Sequence, residues 1–394
     1  MKEKIVIISN YYPPEMGAAA NRIKSLAEGL LLSGKEVTVI CPLPNYPKGE
    51  IFPKYKGKFK VVENKNGILV KRYWMFPSNS KNSFVRIFSM FSLAISIWAS
   101  IFSLLRNKPK LFIIQSPPLF VALSGLLLSK VIGRKNVLNV SDLWPLSALE
   151  LGVINKGFFY KIFTKLEHTN YKLANKIVGQ SKEINKHISK IVKKENLVYR
   201  NVPNYKEYSQ KTKKEGKLKI VYAGLLGYAQ GILNICKSVD FKNLQVEFHI
   251  YGDGMESKSI CNYAKNANNN IFFHGSVDAI EVKEKIRENE VAIVPLKNRI
   301  QGAVPSKIFE LMQLGVPILY TCEGEASDII LSNNIGFVSY NNTSESLKNT
   351  ILKFKNLKED EYTQMSKNCL DLHAKEYRLD YQLKKVITFI ENEK

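Results

Sequence analysis

The chain has 394 residues, 45% of them apolar, 11% aromatic and 24% charged, with 22 Gly and 15 Pro. That is enough for two domains with their own cores, and it excludes a disordered, collagen-like or low-complexity chain. Five scattered cysteines with no CxxC or Cys/His cluster argue against structural zinc and a disulfide framework. The net charge of +23 is unevenly spread: residues 1–205 hold 32 basic and 11 acidic residues, residues 206–394 hold 26 and 24. The first half is therefore expected to face something anionic, with nucleic acid, an anionic lipid surface and a phosphorylated substrate as candidates.

In chain order, the apolar run 5–9 is too short for the core of a signal peptide and reads as a buried strand, which places the protein in the cytoplasm. Further strands are predicted at 36–41, 68–73, 111–115, 137–140, 176–179 and 197–199. In the second half they fall at 218–223, 245–251, 271–274, 291–295, 317–320 and 337–339. Helical patterns lie between most of them, for example at 21–32, 160–173, 181–191 and 307–314, and a long one closes the chain at 371–393. Near-continuous apolar strands alternating with helices indicate parallel sheets covered on both faces. The pattern occurs twice, so the fold class is α/β with two doubly wound domains. The boundary is expected within 199–217, where the turn-rich Arg200-Asn201-Val202-Pro203-Asn204 leads into a polar, lysine-rich stretch.

Segment 84–105 departs from this pattern. It has 22 residues with one charge, Arg86, and basic residues Lys81, Arg106, Lys108 and Lys110 flank it. Its length allows a membrane span. Ser89, Ser92, Ser96, Ser100 and Ser103, however, share one helical face, and Phe88, Phe91, Ile95, Trp98 and Phe102 lie largely elsewhere. A small-residue stripe suits packing against protein, leaving an aromatic side for lipid. An interfacial helix is favoured, and a core helix and a true span stay open.

Four loops carry candidate chemistry. The first, Asn10–Arg22 in the sequence NYYPPEMGAAANR, follows strand one; Gly17 and Ala18 permit close approach of a ligand to a helix start, and Arg22 offers a cation. It is not GxGxxG, so a dinucleotide cofactor is disfavoured. The second is Ser141-Asp142 at the end of strand 137–140, with Ser116 ending the preceding strand beside it. Asp142 is read as a substrate-orienting or catalytic carboxylate, or else a helix cap. The third gathers the glycine turns of the second half: Gly224, Gly227 and Gln230, then Gly252 and Gly254, then Gly275 and Ser276. The fourth is Gly302-Ala-Val-Pro305-Ser306-Lys307-Ile-Phe-Glu310. Pro305 and Ser306 read as a helix start with Ser306 as cap. Lys307 opposes the helix dipole by about 0.3–1 kcal/mol, which makes sense if an anion binds there. Glu310 shares its face and suits sugar hydroxyls, while an exposed Lys–Glu pair is the plainer reading.

With these residues in view, the chain resembles retaining glycosyltransferase family 4 of GT-B fold over essentially its whole length. The resemblance rests on YYPPEMGAAANR, VSDLWP, NVPN, YAGLLGYAQG, YGDG, HGS and PSKIFELMQLGVP. Within the family it looks most like the WbuB-type subgroup of capsule and O-antigen transferases. The resemblance implies two Rossmann-like domains with a cleft between them: an acceptor domain 1–205, a nucleotide-sugar domain 206–375, and a last helix 376–394 crossing back to the first. It implies retaining transfer from a UDP-sugar, such as an N-acetylated amino sugar like N-acetylfucosamine, to a saccharide on polyprenyl diphosphate. On this reading uracil sits against Gly254 and Gly275, and ribose lies on Glu310. The diphosphate lies on Ser306, Lys307 and the backbone N–H groups of Gly17 and Gly227. Asp142 orients the sugar or acceptor, or acts as base, and the leaving diphosphate assists attack on its own face.

The sequence departs from the family at three places. Gly302 stands where the first acidic residue of Glu-x7-Glu is usual. The loop 225–230 lacks the usual Arg and Lys. Ser141 replaces a common His. No Asp-x-Asp occurs, so no cofactor and no essential divalent metal are expected. The expected location is the inner face of the cell membrane, held peripherally by the basic half and segment 84–105, with no nucleic-acid partner. The rivals are a GT-B nucleotide-sugar 2-epimerase and a basic membrane- or nucleic-acid-binding protein without catalysis.

Overall fold

The computed structural model describes residues 2–46, 48–78, 80, 83–266, 269–278, 280–340 and 343–392. The chain divides into two units. Unit 1 runs to Asn201 and takes in the segment from Asp380 on, and unit 2 is Val202–Leu379. Lys81 and residues 393–394, which figure in the sequence reading, lie outside the described residues.

Among the described residues, unit 1 holds eight strands: β1 (Lys4–Ile8), β2 (Glu36–Pro42), β3 (Lys60–Lys65), β4 (Ile68–Tyr73), β5 (Leu111–Ser116), β6 (Lys135–Val140), β7 (Lys176–Gly179) and β8 (Asn196–Val198). Their order is β3-β4-β2-β1-β5-β6-β7-β8, and every neighbouring pair is parallel except β3 with β4. The central strands are mostly apolar because both faces are covered. Val6 and Ile8 enter one core, and Ile5 and Ile7 enter the other. Strand β3 is absent from the sequence reading. Its sequence KVVENK is largely exposed on the antiparallel edge, so no apolar run marks it.

Unit 2 repeats the plan with β9 (Leu218–Ala223), β10 (Val246–Tyr251), β11 (Ile271–Gly275), β12 (Val291–Val294), β13 (Ile318–Tyr320) and β14 (Gly336–Val338). All pairs in the order β11-β10-β9-β12-β13-β14 are parallel. Strand order reverses between β1 and β5 in unit 1 and between β9 and β12 in unit 2. Ligand crevices of doubly wound sheets form beyond the strand ends at such points.

Segment 84–105 is not one helix. A helix, Ser83–Ser96, passes through a 3-10 turn, Ile97–Ser100, into a second helix, Ile101–Asn107. Two hydroxyls account for the break. Ser124 donates to the Ala94 carbonyl at 2.5 Å, and Ser100 donates to the Ile97 carbonyl at 2.6 Å, so carbonyls are taken from the helical ladder. Ser89, Ser92, Ser96 and Ser100 are buried, while Phe88, Phe91, Ile95 and Phe102 are exposed. Trp98 is the exception to the expected aromatic side, since it packs partly buried against the unit 1 core. By length and composition alone, Ile87–Asn107 is apolar enough to cross a membrane. The expected terminal helix is also two, Glu359–Glu376 and Leu379–Glu391. The break falls at Tyr377, which turns inward so that its ring lies 4.7 Å from that of Phe309.

The buried serine stripe leaves no room for larger side chains. Ser100→Leu is expected to lower stability by about 1–3 kcal/mol, whereas Phe102→Ser on the exposed side should change it by no more than about 0.5 kcal/mol. Urea unfolding of the two variants checks this.

Candidate active site

In unit 2 the loops after β9, β10 and β11 are joined by backbone hydrogen bonds. Gly224 N–H donates to the Tyr251 carbonyl at 3.0 Å, Leu226 N–H to Asp253 at 2.9 Å, and Gly252 N–H to Gly275 at 2.7 Å. Two of the predicted glycines are required by this contact. A Cβ on Gly252 (φ +145°) would stand 1.8 Å from the Gly224 carbonyl oxygen, and one on Gly254 (φ +156°) 2.5 Å from that of Leu226. Gly275 is also left-handed but faces open space, beside exposed Ser276. The predicted strand-end turns of unit 2 are thus one assembly.

A cleft of about 120 Å³ opens at the β9–β12 crevice, lined among others by Gln230, Glu256, Pro295, Lys297 and Thr321. Gln230 Oε1 and Glu256 Oε2 are buried there without a hydrogen-bond partner, so two acceptors stand ready for donor groups. Gly227 adjoins Gln230: a Cβ on it would come within 3.1 Å of that same Oε1.

The predicted helix at 307–314 is present as Lys307–Leu314. Ile308, Phe309, Leu311, Met312 and Leu314 anchor it in the unit 2 core. Ser306 occupies the cap position but its side chain makes no capping hydrogen bond, so the expected hydroxyl cap is absent. The Pro305 carbonyl accepts from Ile308 N–H at 3.1 Å. Lys307 Nζ and Glu310 Oε2 form an ion pair at 2.8 Å, both side chains partly accessible. The cation is therefore balanced by its own neighbour one turn on. Neither residue lines the Gln230–Glu256 cleft.

In unit 1, Gly17 (φ 132°) caps the helix Ala18–Leu32 and faces open space, and Ala18 beside it is exposed. Arg22 does not offer its charge at the surface as expected. It is 3% exposed, donates to Asn139 Oδ1 at 2.7 Å and Gln180 Oε1 at 2.8 Å, and lies 4.7 Å from the Tyr199 ring. Burial pulls its pKa down to about 10. Ser116, Ser141 and Asp142 meet beyond the ends of β5 and β6: Ser141 donates to the Ser116 carbonyl through its N–H at 2.9 Å and its hydroxyl at 3.3 Å. Asp142 Oδ2 accepts from Ser147 at 2.8 Å, and burial raises its pKa against that bond and the Leu143 N–H.

Residues 204–370 match the family model of group 1 glycosyl transferases. The matched stretch lies within unit 2. Over 343 residues the chain is 24% identical to a protein named as a putative colanic acid biosynthesis glycosyl transferase, WcaI, of Escherichia coli (strain K12), covering 81% of this chain and 83% of that one. Sucrose-phosphate synthase from Thermosynechococcus elongatus superposes with TM-score 0.74 at 11% identity, covering 99% of this chain and 98% of that one. Anabaena HepE, solved with UDP and glucose, superposes with TM-score 0.66 at 11% identity, covering 98% and 99%. The two α/β units expected from the sequence are thus the fold of known glycosyltransferases.

Unit 1 contains buried acids to which the sequence gives no role. Glu15 accepts from the N–H groups of Asn45 and Tyr46 at 2.8 and 2.9 Å, and its second oxygen has no partner. Glu167 accepts from Tyr171 at 2.6 Å, and burial pushes its carboxyl up to about 7, aided by the Asp142 charge. A lone Glu in an otherwise amphipathic helix gives no sign of burial in one sequence.

The Glu167 shift fixes a pH dependence. A carboxyl raised from 4.5 to about 7 stabilises the fold below pH 4.5 relative to neutral pH, and the contribution is lost as pH rises through 7. Glu167→Gln should therefore lose less stability than wild type between pH 5 and 8. Urea midpoints at both pH values measure it, and equal losses in the two proteins would contradict the assignment.

Proposed function

We propose that the protein is a retaining glycosyltransferase. It moves a sugar from a UDP-linked donor to a saccharide on polyprenyl diphosphate, in the assembly of a bacterial surface polysaccharide. The observation that carries this reading is the match to group 1 glycosyl transferases over residues 204–370, with the Lys307–Glu310 pair at the start of a core-anchored helix. HepE was solved with UDP and glucose, and WcaI is named for colanic acid biosynthesis, which supports both donor and product class.

In this reading Lys307 and the amino end of its helix receive the diphosphate, whose charge the helix dipole also favours. Glu310, released from Lys307, takes the ribose hydroxyls, and uracil rests on the Gly254 and Gly275 turns. Fixed donors at the leaving diphosphate supply the main stabilisation of the transition state. Asp142 orients the reacting sugar or accepts the acceptor proton, and the raised pKa of a buried carboxyl suits a base. An N-acetylated amino sugar, such as N-acetylfucosamine, is the proposed donor moiety, and the reaction uses no divalent metal.

The acceptor's lipid fixes the location. Phe88, Phe91, Ile95 and Phe102 are exposed on the apolar segment. The helix Phe158–Leu173 adds exposed Phe158, Phe159 and Ile162, accompanied by Lys161, Lys165 and Lys172. Aromatic groups with nearby lysines suit the interface of an anionic bilayer. We place the enzyme on the inner face of the cell membrane by these residues.

Two measurements test the proposal. Thermal unfolding with a panel of UDP-sugars should show one that stabilises, by about 2.7 kcal/mol at a hundred times its Kd. Lys307→Met should abolish that shift, and a variant that keeps it would remove Lys307 from donor binding. Phe88, Phe91, Ile95 and Phe102 changed together to Ser should release the protein from phosphatidylglycerol vesicles in flotation. Unchanged flotation would reject the surface.

A further inference from the structure

Arginine has five N–H donors and no acceptor, and Arg22 is buried with neutral amides as its hydrogen-bond partners and a second cation, Arg200, nearby. Among the described residues no carboxylate pairs with its guanidinium, and its Nε has no partner. The consequence runs through three more side chains. Since Arg22 can only donate, Asn139 must present Oδ1 to it at 2.7 Å. The Asn139 amide nitrogen then points the other way and donates to Gln115 Oε1 at 2.7 Å. Gln115 in turn donates through Nε2 to Ser141 Oγ at 2.7 Å. Each amide orientation, ordinarily a matter of two equivalent choices, is dictated by the cation at the head of the chain.

The relay crosses the sheet at the ends of β6 and β5. Asn139 and Gln115 are buried and Ser141 is half-buried. With one lone pair of Ser141 Oγ taken by Gln115 and its proton directed to the Ser116 carbonyl at 3.3 Å, one lone pair remains.

We propose that Arg22 is a positioning residue whose hydrogen-bond relay through Asn139 and Gln115 fixes the Ser141 hydroxyl as an acceptor, selecting a substrate hydroxyl or amide N–H there and rejecting a phosphate oxygen. This rests on the reading that the Ser141-Asp142 loop meets the sugar substrate. Ser141 thereby specifies a donating group, and Arg22 acts on it through two intervening amides without touching substrate.

The test is a double-mutant cycle in the full chain. Asn139→Asp still accepts from Arg22 but cannot donate to Gln115. The Gln115 amide therefore turns to donate to the introduced carboxylate, and Ser141 is left facing an acceptor. We expect kcat/KM for sugar transfer to fall about tenfold, the loss of one substrate hydrogen bond. The same change in a Ser141→Ala background should have no further effect. Arg22→Lys, which also only donates, should retain most activity, and Arg22→Met should not. Equal losses from Asn139→Asp in both backgrounds, or none in either, overturn the proposal. If wild type transfers no sugar from any UDP-sugar, the proposed function fails instead. The relay is then judged by the ¹⁵N-labelled Gln115 amide resonance, which should shift on Asn139→Asp and whose constancy would refute it.

Discussion

Parallel pairing sends every strand of a sheet out at the same edge, and this constraint organises both units. Because β1, β5 and β6 run the same way, the Gly17 loop, Ser116 and Ser141-Asp142 all emerge on one side of unit 1. Because β9, β10, β11 and β12 do likewise, the glycine turns and Pro295 emerge on one side of unit 2. Residues far apart in sequence need no special device to meet. The burial of both sheet faces that parallel strands demand leaves this edge as the place where polar side chains can gather.

How the polar groups are held differs between the two units. In unit 2 backbone does the joining: peptide groups of three loops bond to one another, and glycine is needed because the Gly224 and Leu226 carbonyls occupy the space of a side chain. In unit 1 side chains do it, with Arg22, Asn139, Gln115 and Ser141 bonded in series and Asp142 held by Ser147. The first arrangement gives a rigid floor with exposed turns. The second gives hydroxyls and a carboxylate whose hydrogen-bond partners are set in advance.

Much of the fold is legible in the sequence because apolar strands and amphipathic helices leave periodic marks. The edge strand KVVENK is not, since one exposed antiparallel strand needs no apolar run. The breaks at 97–100 and at Tyr377 involve tertiary contacts, a hydroxyl of Ser124 and the ring of Phe309, that no local pattern contains. Among site residues, the glycine turns can be read because positive φ and close approach favour one residue type. Arg22 reads wrongly as a surface cation, since a charge beside a glycine loop looks the same in sequence whether it points outward or into amides. Its partners do leave a signal: Asn139 and Gln115 are amides inside strands that are mostly apolar.

A crystal structure of the full chain with UDP tests the central claim most directly. The account places the pyrophosphate against Lys307 at the amino end of its helix, with Glu310 turned from Lys307 to the ribose hydroxyls. A nucleotide seated instead in the cleft beside Gln230 and Glu256, with the Lys307–Glu310 pair intact, would contradict it.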